Sequence, residues 1–143
     1  MATLEQAIAL AAQQHAGQVD KANAPYILHP LRVMLNVPTI EHKIVAVLHD
    51  VLEDTETSTE DLRKLGFQQQ VIDAVLALTK KVGESRLQAA QRTVQNPIAR
   101  VVKLADIAEI AKITKKHNIL FAVDNTFATP YLQKPLDLGA DIV

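Results

Sequence analysis

Residues 44–54 read IVAVLHDVLED, a run that is apolar on nearly every side when it is drawn as a helix. A helix that is apolar all round is buried, so the charged groups within it are buried too. Its ionisable side chains are His49, Asp50, Glu53 and Asp54, whose spacing of four places them on one helix face. Buried carboxylates are costly unless a cation compensates them, and a divalent metal would do so. The run predicts a buried helix with a metal site; the alternative is a helix end whose carboxylates face water.

Two residues elsewhere in the chain extend this candidate site. His29 precedes Pro30 at the junction between a loop and a helix, where a side chain can point into a cleft. Asp106 lies among apolar neighbours in the last long helix. With His49 and Asp50 they form a set of two His and two Asp from three separate helices, and such ligands suit several divalent metals. The chain has no Cys, so thiolate sites are excluded.

Composition limits the class of protein. With 143 residues, 48% hydrophobic residues and a net charge of −1, the chain is typical of one globular domain and not of a disordered one. The balanced charge gives no basic face for nucleic acid. No apolar run approaches the ~20 residues that a membrane span needs. The start, MATLEQ, lacks the basic region of a signal peptide, so we expect a cytoplasmic protein.

Start signals predict a series of helices up to about residue 117. Thr3 with Gln6 fits a capping box, Asn96 with Pro97 begins the last long helix, and Asn118 follows its end. Beyond Asn118 the character changes. Residues 119–123 form an apolar run of strand length, followed by a turn, which is typical of an α/β protein rather than of a helical array.

Three segments resemble one known family. They read AIALAAQQHAGQVDKANAPYILHPLRV (7–33), VLHDVLEDT (47–55) and NPIARVVKLAD (96–106). Over residues 4–106 the chain resembles the HD-domain phosphohydrolases of the RelA/SpoT and small alarmone hydrolase type. This resemblance implies an all-α HD-domain helical array. It also implies a divalent metal, commonly manganese, at His29, His49, Asp50 and Asp106, although the ligand chemistry leaves iron, zinc, nickel and magnesium open.

The same resemblance implies roles for three further residues. Glu53 and Asp54 match the pair that positions or activates the attacking water. Lys21 matches a basic residue that faces substrate phosphates, and Arg32 and Lys103 are additional candidates for offsetting phosphate charge. The implied substrate is a nucleotide or another small phosphate or pyrophosphate ester.

Two departures from the family pattern bear on specificity. Asp20 stands where the alarmone enzymes usually have a basic residue that can stack on the base, and Ile110 stands where they usually have Asn. Two functions therefore remain open. The first is a metal-dependent phosphohydrolase, such as one that removes the 3′-pyrophosphate of guanosine tetraphosphate. The second is a catalytically impaired, metal-binding HD scaffold or nucleotide-binding module left by truncation and fusion.

The end of the chain resembles a different family. Residues 106–143, DIAEIAKITKKHNILFAVDNTFATPYLQKPLDLGADIV, are similar to the cystathionine γ-synthase and methionine γ-lyase type of pyridoxal-phosphate (PLP) enzyme. In that family the Asp matching Asp124 pairs with the pyridine nitrogen, whereas the Schiff-base lysine would lie beyond Val143. We therefore expect no functional PLP site. The two resemblances predict a fusion joined near VKLADI (102–107); the alternative is a natural HD protein with an unusual C-terminus.

This fusion predicts the domain organisation. Residues 1–106 form the HD-type helical domain, with the last helix continuing to about residue 117. Residues 118–143 are a foreign tail of α/β origin, irregular or repacked, and not an independent domain. The run ILFAV at 119–123 would normally be a buried parallel strand, and without its sheet it is an exposed edge. We therefore predict a homo-oligomer.

Overall fold

The protein is described by a computed structural model that covers residues 1–120, 122, 137 and 139–141. Within these residues it forms α-helices and no β-strand, which confirms the predicted all-α array. None of the helices in these ranges combines the length and the apolar character that crossing a bilayer requires. The helices are α1 (Leu4–Gln14), α2 (Leu28–Leu35), α3 (Ile40–Leu48), α4 (Val51–Asp54), α5 (Thr59–Lys64), α6 (Gln69–Leu78), α7 (Arg86–Gln95) and α8 (Pro97–Lys116).

The helix starts follow from capping side chains. Thr3 and Ser58 each form a complete capping box, with Gln6 and Asp61 respectively. Asn96 accepts hydrogen bonds from the two backbone N–H groups that follow Pro97, at 3.1 and 3.0 Å. These side chains satisfy backbone donors that a helix start leaves unpaired. The predicted starts of α1 and α8 are therefore confirmed.

Helix α3 is the centre of the array. It packs against α1, α2, α6 and α8. Its residues Val45, Ala46, Val47 and Leu48 are fully buried, as expected for a helix that is apolar on all sides. Because α2 and α8 carry the candidate ligands His29 and Asp106, and His49 follows α3 itself, α3 holds the elements of the site in place.

The predicted single helix over residues 44–54 is interrupted, which corrects the sequence interpretation. Helix α3 ends at Leu48, and α4 begins at Val51 with Asp50 as its N-cap. Nδ1 of His49 donates to the carbonyl of Ala46 at 2.6 Å, an oxygen that would accept from the Asp50 N–H in an uninterrupted helix. The two helices therefore meet at the His-Asp pair, and the four ionisable residues do not share one continuous helix face.

Helix α8 runs without a break through the sequence 102–107 where the two resemblances meet. It ends before Asn118, which adopts a positive φ of 54°. Ile119 and Leu120 are exposed and lie outside any strand. The rest of the predicted strand, apart from residue 122, lies outside the described residues, as does Asp124.

A short piece of the C-terminal segment packs back on α8. Ala140 is buried, and the backbone at Gly139 approaches Ala111 so closely that a Cβ atom at position 139 would lie 2.9 Å from the Ala111 Cβ. Gly139 also has a φ of 104°, which side chains rarely permit. Glycine is therefore required at this contact with α8.

Candidate metal centre

Three of the four predicted ligands meet at one place. His29 belongs to α2, His49 follows α3, and Asp106 belongs to α8. One ligand atom from each lies within 4.8 Å of the others, and His29 Nε2 lies 3.1 Å from an Asp106 oxygen. The rings of His29 and His49 are 5.4 Å apart between centroids. Two imidazoles and a carboxylate converging in this way are a suitable ligand set for a first-row divalent metal.

The fourth predicted ligand, Asp50, lies beside this group. Its Oδ2 atom is 2.9 Å from Nε2 of His49. Although Asp50 is the N-cap of α4, its side chain makes no capping hydrogen bond. Its carboxylate instead contacts His49 and Tyr26, so the break between α3 and α4 turns this side chain to the centre.

The ring of His49 is held in one tautomer. Its Nδ1 donates to the Ala46 carbonyl, so Nδ1 carries a hydrogen and Nε2 is the atom that faces the other candidate ligands. Metal-binding histidines usually donate their second ring N–H to a carbonyl or carboxylate in this manner. The backbone of α3 therefore orients the ligand atom.

The electrostatics of the centre are dominated by buried ionisable groups. Both His49 and Asp106 are 5% exposed. Burial raises the pKa of Asp106, but the hydrogen bond with His29 and the charge of Lys103, whose Nζ lies 2.9 Å away, outweigh it and hold that pKa far below its usual value. Burial lowers the pKa of His49, yet its hydrogen bond with Asp50 and the Asp50 and Asp106 charges raise the net pKa. Metal binding at Nε2 of His49 would therefore compete with a proton.

The two predicted catalytic carboxylates lie on α4 directly after Asp50. Both Glu53 and Asp54 are exposed, and one oxygen of Glu53 accepts from the backbone N–H of Lys80 at 3.1 Å. Partial burial and the charges of Asp50 and Glu53 raise the pKa of Asp54. A carboxylate with a raised pKa is a better proton acceptor than an ordinary one.

The three predicted substrate-binding cations differ in their surroundings. Lys21 is exposed in the loop between α1 and α2. Lys103 lies at the centre, paired with Asp106. The Nε atom of Arg32 instead donates to Glu109 at 2.6 Å, one helical turn beyond the His29–Asp106 contact on the same two helices. Arg32 therefore forms an ion pair that joins α2 to α8.

Sequence reasoning missed Tyr26 and Glu109. The hydroxyl of Tyr26 donates to Asp50, and Glu109 is 5% exposed beneath Arg32. Two features of the sequence could have pointed to them. Tyr26 lies three residues before His29, and Arg32 and Glu109 lie three residues after His29 and Asp106, respectively. His15 is 2% exposed, and its ring lies 5.0 Å from that of Tyr26.

Comparison with known proteins gives two different likenesses. The model of the Cys/Met metabolism PLP-dependent enzyme family matches residues 35–143. The chain belongs to that family. It is 52% identical over 50 residues to cystathionine γ-synthase of Haemophilus influenzae, which covers 35% of this chain and 14% of the relative. It is 30% identical over 138 residues to cystathionine γ-lyase of Bacillus subtilis, which covers 94% of this chain and 35% of the relative.

The chain thus spans about a third or less of these family members. Its fold matches a different protein, a metazoan ortholog of SpoT that hydrolyzes ppGpp and plays a role in starvation responses. The match has a TM-score of 0.66 at 26% identity and covers 81% of this chain and 72% of that one. The chain therefore joins the fold of a SpoT-type HD hydrolase to a segment of the PLP family, which confirms the predicted fusion.

The described residues do not fit PLP. The cofactor is bound in PLP enzymes through a lysine amine, whose pKa is commonly lowered by an apolar pocket. Among the described lysines all are exposed except Lys43, which is half-buried, and Lys103 is paired with Asp106. By contrast, the His and Asp groups at the centre fit a divalent metal.

Proposed function

We propose that this protein is an HD-type, metal-dependent phosphohydrolase whose substrate is a nucleotide or another small phosphate or pyrophosphate ester. The observation that carries the proposal is the convergence of His29, His49 and Asp106 within 4.8 Å, with Asp50 hydrogen-bonded to His49. The SpoT-type fold supports it, because the matched protein hydrolyzes ppGpp. We assign this function to residues 1–106 and treat 118–143 as a tail without its own domain.

We assign His29, His49, Asp50 and Asp106 as the metal ligands, with manganese as the first candidate and iron, zinc, nickel and magnesium as alternatives. When bound, a divalent metal lowers the pKa of water and offsets the charge of phosphoryl oxygens. The tautomer of His49, fixed by Ala46, presents the Nε2 lone pair once its proton has left.

Asp54 and Glu53 serve the attacking water in this proposal. The raised pKa of Asp54 suits a group that accepts a proton from water as the oxygen attacks phosphorus. Glu53, which also accepts from the Lys80 backbone, aligns that water. The proton is retained on the carboxylate and then passes to solvent or to the leaving oxygen.

Lys21 and Lys103 are the cations that we assign to the substrate phosphates. Arg32 already has its Nε bonded to Glu109, which offsets part of its charge, so it is the weakest of the three candidates. The loop that carries Lys21 is shaped by Asp20, whose Oδ1 accepts from the backbone N–H groups of Ala22 and Ala24 at 2.8 and 2.9 Å.

A metal-binding scaffold without turnover is the second candidate. The observation that favours it is this role of Asp20, a carboxylate held in the loop turn where alarmone hydrolases usually have a stacking cation. Ile110 on α8 also replaces an amide of that family. Both departures affect nucleotide recognition and leave the metal ligands intact, so the two candidates share a metal site and differ in turnover.

The test is metal analysis of the purified full chain, followed by phosphate and pyrophosphate release from a nucleotide panel that includes guanosine tetraphosphate. We expect about one metal per chain and turnover that His49→Ala abolishes. The matched control is His117→Ala, which alters an exposed histidine at the end of α8. Metal without turnover would favour the scaffold, and a chain that binds no divalent metal would refute the site itself.

A further inference from the structure

Tyr26 is bonded to one of the candidate ligands without being a ligand itself. Its hydroxyl donates to Oδ2 of Asp50, the same oxygen that lies 2.9 Å from Nε2 of His49. Its ring lies 5.9 Å from the ring of His29 and 5.0 Å from that of His15. Tyr26 therefore contacts two candidate ligands, from two different helices, at once.

The loop that carries Tyr26 is tied to the helices around the centre. The backbone N–H of Tyr26 donates to the Gln18 carbonyl at 2.9 Å. The Gln18 side chain accepts from Nδ1 of His15 at 2.8 Å and donates to the Asp54 carbonyl at 3.0 Å. Gln18 thus links α1, the loop and the end of α4, so the position of the Tyr26 ring is determined relative to Asp50.

His15 supports the ring rather than the ligands. It is 2% exposed, and its Nε2 atom has no hydrogen-bond partner among the described residues. Its imidazole lies against Tyr26 at a tilted angle of 51°. The buried His15 ring therefore packs against Tyr26 and limits its movement.

We propose that Tyr26 is a positioning residue for the metal centre. Its hydroxyl holds the Asp50 carboxylate at the centre, whereas an N-cap carboxylate would ordinarily accept from the backbone N–H groups in the first turn of α4. This inference rests on the proposed metal site and adds the residue that orients one of its ligands. Loss of a hydrogen bond to a metal ligand typically lowers metal affinity 10- to 100-fold.

The first experiment measures Mn²⁺ affinity from the free-ion electron paramagnetic resonance signal. We expect Tyr26→Phe to bind Mn²⁺ 10- to 100-fold more weakly than the wild type. In an Asp50→Asn background the same change should have little further effect, because the two residues act through one contact. The matched control is Thr55→Val, which removes a half-buried hydroxyl that donates to the Val51 carbonyl at 2.6 Å and otherwise bonds to Thr57.

The second experiment leaves Tyr26 in place. The chain has no Trp and two Tyr, so Tyr131→Phe makes Tyr26 the sole strong emitter. Titration with diamagnetic Zn²⁺ should change the tyrosine emission of this variant with the midpoint of metal binding, because the acceptor of the Tyr26 hydroxyl becomes a ligand. This readout decides the matter even if Tyr26→Phe does not fold, which circular dichroism of the metal-free variants would reveal.

The outcomes separate the inference from the proposed function. A wild-type chain that binds neither Mn²⁺ nor Zn²⁺ overturns both. A wild type that binds metal while a folded Tyr26→Phe binds it equally well overturns the positioning role alone. Metal binding with no change in Tyr26 emission also overturns that role. The role is supported if Tyr26→Phe weakens metal binding in the wild-type background but has little effect in the Asp50→Asn background.

Discussion

The ion pair between Arg32 and Glu109 predicts an asymmetric effect on stability. The Glu109 side chain is 6% exposed, whereas that of Arg32 is 38% exposed. Replacing Arg32 by Met keeps most of its apolar packing but leaves a buried carboxylate whose remaining cation, Lys112, is 3.8 Å away and 63% exposed. Replacing Glu109 by Gln leaves a guanidinium that can still reach water.

These exposures set the expected magnitudes. Breaking a fully buried pair by removing one partner costs ~3–5 kcal/mol, so for this partly exposed pair we expect Arg32→Met to lower the free energy of unfolding by about 2 kcal/mol. For Glu109→Gln we expect a loss of ~1 kcal/mol, because the acceptor of the Arg32 hydrogen bond loses its charge. The double variant Arg32→Met, Glu109→Leu should lie near the wild type, since no buried charge remains.

The assay is urea unfolding at neutral pH, from which the free energy of unfolding without urea is extrapolated for each variant. An unchanged slope of free energy against urea shows that only the stability has changed. The matched control is Arg63→Met, which breaks an exposed pair with Glu60 at 3.3 Å and should cost at most ~0.5 kcal/mol. If Arg32→Met costs no more than this control, or less than Glu109→Gln, then Glu109 is not a buried charge that depends on Arg32, and the reasoning is refuted.

Further predictions concern the centre and the tail. Saturating Mn²⁺, at 100 times its dissociation constant, should raise the free energy of unfolding by about 2.7 kcal/mol, and chelation should reverse this rise. Without metal, the lowered pKa of Asp106 stabilises the folded state fully above an unfolded pKa of about 3.9, and this stabilisation is lost as pH falls through the folded pKa. In urea titrations at several pH values, Asp106→Asn should therefore show a smaller fall in the free energy of unfolding at acid pH. The raised pKa of His49 acts in the opposite direction: its stabilisation is full below about 6.5 and is lost as pH rises through the folded value, a loss that His49→Ala should remove. Glu53→Ala should reduce turnover about 100-fold with unchanged metal content, and equal turnover would exclude a role in catalysis. Ile119 and Leu120, which are 58% and 75% exposed, should support self-association, and light scattering from a monodisperse monomer at high concentration would contradict this.

Much of the helical array could be predicted because its signals are local. A cap such as Thr3 or Asn96 acts on backbone groups two or three residues away, so the sequence alone contains the whole interaction. The apolar character of residues 44–48 likewise indicates burial without knowledge of the neighbours. The ligand set was predicted from chemistry and family resemblance, and the structure brings those side chains together.

The remaining features depend on contacts between distant parts of the chain. At the break after Leu48 a side chain, His49, occupies a backbone acceptor, and helical periodicity contains no sign of that exchange. In the sequence Tyr26 is an ordinary loop tyrosine, and only the fold brings its hydroxyl to Asp50. Arg32 is a plausible phosphate ligand until Glu109, 77 residues later, is brought next to it.

The uninterrupted course of α8 has a consequence for how such a fusion can arise. Each residue of a helix advances the side-chain direction by about 100°. One residue inserted between Asp106 and Glu109 would leave Asp106 facing His29 but would turn Glu109 away from Arg32, together with the Ala111 surface on which Gly139 rests. A join within this helix must therefore conserve the rotational phase of the helix as well as the codon reading frame. Only a minority of in-frame junctions would keep the contacts of α8 both before and after the join.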